Sequence, residues 1–245
     1  MNNFSLYTVW SVLHFNTPEA HVKIFSIWRF NPQKRYFYST YRYLHTLNFL
    51  TVADYDQEIS HEHKKFENIT WEGKTLSGRE FYDCHFYKCS LKECIFIECT
   101  FEKCTFEECD LSLIQFKQTA FSRVTLQYTK AIGIAWHNAR SPLTVEFHHS
   151  RISYCSFSGQ NLKKGVFLHC QADEADFSGC NLSQADFCGT DLAGARFSET
   201  DLTQANFTGA QRYAIDVQSN KVRKAKFSLP DALALLDGLG VEIVE

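Results

Sequence analysis

The stretch FYDCHFYKCSLKECIFIECTFEKCTFEECDL, residues 81–111, decides the fold of this chain. A phenylalanine or leucine returns at every fifth position from Phe81 to Leu126, and a small residue, most often cysteine, stands two positions before it. A helix repeats about every 3.6 residues and a strand every 2, so neither keeps one face apolar at a period of five. The stretch therefore predicts a chain that turns a corner every five residues and fills its interior with its own side chains.

The same period returns after an interruption, from Phe147 to Phe207. Twelve of the thirteen central positions in this second block are large and apolar, and the exception is Ala172. The small inward residues of this block are mostly alanines, such as Ala175 and Ala185. Stacked coils bury a continuous core and pair backbone with backbone along their axis, so the two blocks predict a β-solenoid.

Quintets such as ADFSG at 175–179, ADFCG at 185–189 and ANFTG at 205–209 resemble the pentapeptide repeat family. The pattern of that family is a small residue, Asp or Asn, Leu or Phe, and two variable positions. The resemblance covers roughly residues 66–227. It implies an all-β fold, a right-handed quadrilateral parallel β-helix with four quintets in each coil, followed by a short C-terminal helix and strand.

The number of quintets predicts the length of the rod. Counting centres gives 15 quintets from Phe66 to Trp136 and 13 from Phe147 to Phe207, which makes 28 quintets and seven coils. At about 4.8 Å per coil, the rod is roughly 34 Å long. Between Trp136 and Phe147 the spacing is 11 rather than 10, so one residue is extra. The break at 137–146 is expected to be either a plain bulge or a displayed contact loop.

Three parts of the chain follow from these patterns: residues 1–60, a repeat region at 61–227, and a C-terminal segment at 228–245. The first 53 residues hold 13 aromatic residues, five basic residues and one acid, without a clean helical or strand period. They form an N-terminal extension that is either a docking segment or upstream sequence from a misplaced start. The residues themselves do not decide between these two origins.

The C-terminal segment is expected to contain a short helix with Ser228 as its N-cap and Pro230 in its first turn, followed by a short strand at 241–244. A solenoid needs its last coil covered, so this helix either caps its own rod or joins two chains. In pentapeptide proteins of the Qnr and microcin-immunity type, which this ending resembles, a similar helix and strand form the homodimer contact. The resemblance assigns that contact to Leu233, Leu236, Leu239, Val241 and Ile243.

Ten cysteines suggest a metal site or disulfides, but their spacing favours another role. Zinc ligands stand two to four residues apart, whereas nine of these cysteines occupy the small inward position of a quintet and only Cys188 does not. We expect the nine to pack as small buried apolar groups. His61, His63, His148 and His149 lack a third ligand at fixed spacing and are expected to be exposed. With no nucleophile motif and no phosphate-binding loop, the sequence indicates a protein that is not an enzyme and has no cofactor or metal.

The acidic residues divide into two groups. One group directly precedes a central residue, where a short polar side chain can bond the backbone at a corner: Asp110, Asp176, Asp186, Asp191 and Asp201. The other group points outward in the quintet register and supplies the candidate partner-binding surface, which consists of Asp83, Glu98, Glu102, Glu107, Glu108, Asp173 and Glu174.

Net charge limits how these acids can act. The chain carries −3 and residues 1–53 carry +4, so residues 54–245 carry −7. Duplex DNA presents one negative charge per about 1.7 Å of axis, which is roughly threefold denser than −7 along the predicted rod. Mimicry of DNA therefore requires that the acids cluster on one or two faces.

Resemblance to the Qnr and microcin-immunity type implies an interaction protein that occupies the DNA site of DNA gyrase or topoisomerase IV. Such a protein protects the cell from quinolones or from a gyrase-targeting toxin. The alternative is a structural scaffold or secreted bacterial effector that binds another protein through the solenoid faces. The protein is expected to be cytoplasmic, to form a homodimer through its C-terminus, and to bind no nucleic acid directly. The sequence shows no apolar run long enough to span a bilayer.

Overall fold

The computed structural model describes residues 27–31, 36–40, 58–239 and 241. The chain divides into two units, Met1–Leu50 and Thr51–Glu245. In the first unit, β1 (Ile27–Asn31) and β2 (Tyr36–Thr40) form an antiparallel pair. The extension shows no strand period in its sequence, so this pair is a finding of the structure alone.

The second unit is a parallel β-solenoid of about eight turns. Most of its strands are only three residues long, with a buried central residue between two outward ones. In chain order the strands are β3 (Ser60–Glu62), β4 (Lys65–Glu67), β5 (Thr75–Ser77), β6 (Glu80–Tyr82), β7 (His85–Tyr87), β8 (Ile95–Ile97), β9 (Thr100–Glu102), β10 (Thr105–Glu107), β11 (Gln115–Lys117), β12 (Ala120–Ser122), β13 (Val124–Gln127), β14 (Val145–His148), β15 (Val166–Leu168), β16 (Asn206–Phe207) and β17 (Lys226–Phe227).

Residues 20 apart pair in parallel, so each turn passes through four faces. Face 1 holds β3, β6, β9 and β12, and bridges at Asn161, Asn181, Asp201 and Lys221 continue it. Face 2 holds β4, β7, β10, β13, β14 and β15. Face 3 is built from bridges that start at Thr70, and face 4 holds β5, β8 and β11. Since the chain visits the faces in this order, faces 1 and 3 lie opposite each other.

The break in the repeat is a bulge between Arg140 and Val145. Arg140 still pairs with a residue 20 positions earlier, Ala120, whereas Val145 pairs with Val124, which is 21 positions earlier. Leu143 is buried inside the bulge. The predicted shift of one residue is therefore confirmed, and the ladder of β13 and β14 continues in the new register.

Stacked rings fill the core of the solenoid. On face 2 the ring centroids of Phe66 and Phe86, and of Phe86 and Phe106, lie 4.5 Å apart. His61 takes part in the same packing on face 1, where its ring stacks on Phe81 at 4.9 Å and the residue is only 1% exposed. The expectation that His61 is exposed is wrong, because it stands five positions before Phe66 and therefore takes a central position.

The predicted count of seven coils is also too low. The repeat begins one quintet earlier than Phe66, and the ladder continues past Phe207 to β17, which pairs with β16. The partly buried Val222 and Phe227 pack against the core in this last turn. These additions account for about eight turns.

The C-terminal helix is a 3₁₀ helix, Asp231–Leu239, preceded in the break by a shorter one at Trp136–Asn138. Leu235 packs against the core, so the helix covers part of the last turn. The prediction that Ser228 caps the helix is wrong, because its Oγ accepts a hydrogen bond from the Gly209 N–H of the preceding turn at 2.9 Å. The predicted strand includes Ile243 and Val244, which lie outside the described residues. None of the helices that the structure describes is long and apolar enough to cross a membrane.

Candidate protein-interaction surfaces

The outward carboxylates predicted as a partner-binding surface lie on all four faces. A corner residue is assigned to the face that precedes it. Asp83 and Glu102 lie on face 1, Glu107 and Glu108 on face 2, Asp173 and Glu174 on face 3, and Glu98 on face 4. The structure therefore does not bring the seven together as one surface.

Four of these carboxylates are paired with cationic or imidazole groups. Asp83 contacts His63 Nδ1 at 2.7 Å, and Glu107 contacts His85 Nε2 at 2.9 Å. The other two pairs are Glu102 with Arg123 and Glu108 with Lys88. Exposed pairs of this kind add little to stability, but they reduce the negative potential that a partner meets. The first block is therefore a poor match to the charge of a DNA backbone.

Two of the seven, Asp173 and Glu174, are neighbours on face 3, and Asp191 lies on the next turn of the same face. We call these three residues the acidic patch. Asp173 accepts a hydrogen bond from Ser153 Oγ at 2.6 Å, and Asp191 pairs with Arg212. Glu174 is exposed and leans over the next turn. A Cβ at Gly194 would lie 2.5 Å from its Oε1, so the glycine makes room for this carboxylate.

A fourth carboxylate, Asp176, lies next to the patch on face 4. Partial burial disfavours its charged form, but hydrogen bonds from Ser178 and the charge of Arg196 outweigh that effect. The pKa of Asp176 therefore falls below its ordinary value. This side chain is ionised and held in the corner of the solenoid, so we assign it a structural role.

The five aspartates that precede central residues bond the backbone as predicted. In each case one carboxylate oxygen accepts a hydrogen bond from the N–H two residues later, at 2.9 to 3.2 Å. The pairs are Asp110 with Ser112, Asp176 with Ser178, Asp186 with Cys188, Asp191 with Ala193, and Asp201 with Thr203. Asp191 therefore both closes its corner and contributes to the acidic patch.

Face 1 of the turns from Lys163 to Lys224 carries the opposite charge. Five exposed cations project from it, and we call them the basic strip: Lys163, Lys164, Lys221, Arg223 and Lys224. Net charge did not reveal this surface, because residues 54–245 as a whole carry −7. The signal was nevertheless present, because Lys163 and Arg223 are 60 residues apart, as are Lys164 and Lys224, and 60 residues make three turns of 20.

Part of the predicted dimer contact forms an exposed apolar edge on the C-terminal 3₁₀ helix. Leu233 is 44% exposed, Leu239 is 47% exposed and Val241, just beyond the helix, is 51% exposed. Leu236 is half-buried, and Ile243 lies outside the described residues. The helix therefore covers the core through Leu235 and still leaves apolar side chains uncovered.

Nine cysteines are buried and unpaired, as predicted, and Cys188 is partly exposed. Burial raises the pKa of Cys94 to about 11 and that of Cys155 to about 12, so these thiols stay protonated. Their sulfurs donate to backbone carbonyls of the preceding turn, as Cys104 Sγ does to Phe81 O at 3.3 Å. Among the described residues, no three His, Cys, Asp or Glu side chains form a group that could hold a metal ion.

Comparisons with known proteins agree with this architecture. Residues 79–154 match a family model described as a pentapeptide repeat region, and residues 173–209 match a model of pentapeptide repeats. No curated protein sequence matches the chain.

Two solved structures match much of this chain at low sequence identity. Full-length QnrB1, a plasmid-mediated fluoroquinolone resistance protein, is 21% identical, and the match covers 74% of this chain and 100% of that one with a TM-score of 0.37. HetL, a pentapeptide repeat protein involved in heterocyst differentiation regulation in the cyanobacterium Nostoc sp. strain PCC 7120, is 15% identical, with 69% and 87% covered and a TM-score of 0.47. The quintet pattern, the two family matches and the four-faced solenoid show that residues 79–154 and 173–209 of this chain consist of pentapeptide repeats.

Proposed function

We propose that this chain is a non-enzymatic interaction protein that binds DNA gyrase or topoisomerase IV at the surface that these enzymes use for DNA. The acidic patch is the observation that supports the proposal. Asp173 and Glu174 on one turn and Asp191 on the next lie about 4.8 Å apart along one side of the solenoid, so together they offer three carboxylates to a basic groove. Protection of the enzyme from quinolones or from a gyrase-targeting toxin is the physiological consequence that we propose.

A supercoiling assay with purified gyrase tests the proposal. We expect the intact protein to inhibit supercoiling, and we expect inhibition to weaken with salt because exposed charges are screened over about 8 to 10 Å. The double variant D173K/E174K should lose inhibition because it reverses the acidic patch.

The matched control is E102K/E108K, which changes the net charge equally but alters carboxylates that are already paired with Arg123 and Lys88. It should retain most of the inhibition. An equal loss of inhibition in both variants would show that inhibition depends on total charge and not on the acidic patch. Failure of the intact protein to bind gyrase or topoisomerase IV at low salt would exclude this function.

A scaffold role is the second candidate, and one observation favours it. The predicted acids are spread over four faces and four of them are paired, which suits a surface that recognises a protein by shape and mixed polar contacts. In that case the protein should not inhibit either topoisomerase. It should instead bind a partner whose affinity changes little with salt.

We also propose that the exposed apolar edge joins two copies of the chain. Leu233→Asp places an unpaired charge in that contact and should convert a dimer to monomers in light scattering. Leu229→Asp is the control, because Leu229 is 77% exposed and lies before the helix. A wild-type protein that is already monomeric at high concentration would assign the helix to capping alone.

A further inference from the structure

We propose that the basic strip on face 1 binds the phosphate backbone of a nucleic-acid duplex. This inference goes beyond the proposed function, because it concerns the opposite side of the rod and a different class of partner. It also reverses the expectation from the sequence that the chain binds no nucleic acid directly.

The cations of the basic strip are exposed to solvent. Lys163, Lys164, Lys221, Arg223 and Lys224 are exposed, and none of them forms a salt bridge with another described residue. Asp201 is the carboxylate on this part of face 1, and it accepts a hydrogen bond from Thr203 N–H at 3.0 Å. Hydrogen bonds from the side chain and then the backbone N–H of Thr203, with a smaller contribution from Lys221, lower the pKa of Asp201. Five cations therefore face one acid whose oxygen is already engaged with its own backbone.

Neutral polar side chains lie between the two groups of cations. The two turns that separate Lys164 from Lys221 present neutral amides and hydroxyls on face 1, and these are Asn181, Ser183, Gln184, Thr203 and Gln204. Gln184 Nε2 donates to Gln204 Oε1 at 3.1 Å. Lysine, arginine, amide and hydroxyl side chains are the groups that contact phosphates and sugars in protein complexes with DNA. The strip has no exposed apolar side chain that could enter a lipid bilayer.

The distance between the two groups of cations matches the dimensions of a DNA groove. The two cation clusters lie three turns apart, which is about 14 Å at the spacing of parallel strands. The major groove of B-form DNA is about 12 Å wide. Cations at this separation can reach phosphates on both sides of one groove, while the amides between them lie over it. A free anion or a single acidic side chain would not need two clusters so placed.

The segregation of charge supports a defined orientation. Face 3 of the same turns carries the three acids of the acidic patch and one arginine, Arg212, so its net charge is negative, whereas face 1 carries the basic strip and one acid, Asp201. A duplex that approaches this half of the rod is therefore steered to one side of it.

Fluorescence anisotropy with the full chain and a labelled 20-base-pair duplex tests the proposal. We expect binding that weakens with salt. The variant K163E/K164E should bind about tenfold more weakly or worse, and the dependence of log K on log salt should become less steep by about 2. The control K117E/K130E changes the net charge equally on faces 4 and 3, and it should stay within about twofold of the wild type.

Three results would overturn the proposal. Equal weakening in both double variants would mean that binding follows total charge. Unchanged binding in K163E/K164E would place the site elsewhere, for example on the basic residues of the extension. Competition by polyglutamate as effective as that of unlabelled duplex, at equal charge, would assign the strip to an acidic polypeptide. Circular dichroism of each variant checks the fold, and the assay contains no topoisomerase, so its outcome is independent of the proposed function.

Discussion

The two blocks of the solenoid have the same backbone path, but different side-chain hydrogen bonds stabilise their corners. In the first block a cysteine or threonine at the small inward position donates a hydrogen bond to the carbonyl of a central residue on the preceding turn, as Cys99 does to Leu76 and Thr119 does to Phe96. In the second block this position is often alanine, which cannot donate. There the corner is held by an aspartate or asparagine one position later, as Asp186 and Asn206 show.

This difference explains the change in strand content between the blocks. The first block has three-residue strands on three faces, with Tyr, Ile and Thr beside the central residue, and these types favour extended backbone. The second block consists mainly of single bridges separated by turns, because short polar side chains that bond their own backbone favour turns. The side-chain hydrogen bonds that stabilise a corner can therefore come from either of two adjacent positions in the quintet.

The core is the feature that the two blocks share, and its disruption should have the largest effect. Phe101 stacks between Phe81 and Phe121, and Phe177 stacks between Phe157 and Phe197, all at 4.8 to 5.2 Å. We expect Phe101→Ala and Phe177→Ala each to lower the free energy of unfolding by about 3 to 5 kcal/mol, because each opens a cavity. Urea denaturation measures both. A much smaller loss for one of them would show that the blocks unfold separately.

A medium effect should follow from removing a corner hydrogen bond of the first block. Cys104→Ala deletes the bond from Sγ to Phe81 O and leaves a buried carbonyl without that donor. We expect a loss of about 1 kcal/mol in the free energy of unfolding, since alanine already fills this position in the second block.

Cys104→Thr is the matched control. Thr119 and Thr129 occupy equivalent positions and donate to the same kind of carbonyl, so threonine should restore most of the loss. Loss of folding in both variants, together with stoichiometric zinc in the wild type, would instead indicate a metal role for the cysteines.

The smallest effect should come from the corner chemistry of the second block. Asp201→Asn keeps an oxygen that can accept from Thr203 N–H, as Asn181 accepts from Ser183 N–H at 3.1 Å. At pH 7 the variant should be less stable by under about 1 kcal/mol, because it lacks only the charge.

The same variant should alter the acid dependence of stability. Hydrogen bonds from Thr203 lower the pKa of Asp201 below its ordinary value in the folded state. Its contribution is therefore present above the unfolded pKa and is lost as the pH falls through the folded pKa. The difference between wild type and variant should shrink from pH 7 to pH 2 in thermal melts. A constant difference would show that the charge does not matter.

The path of the chain follows from residues that lie close together in the sequence. The period of five predicted the solenoid, the extra residue after Trp136 predicted the shift of register, and aspartates one position before the centre predicted the corner hydrogen bonds. These features depend on residues within a few positions of each other and on which side chains point inward. A strict period of five shows directly which side chains those are.

Which side chains share a face depends on how the turns stack in three dimensions. Outward residues meet neighbours 20 positions away, or 21 across the bulge, so Glu102 pairs with Arg123 and the predicted acids are dispersed. The same stacking brings Lys163 and Arg223 onto one face across 60 residues. Composition and net charge average over all four faces, and pairing across turns changes the charge that each face presents. The charge on each face therefore depends on the number of residues in a turn and on the position of the bulge. Both are defined by the stacked coils.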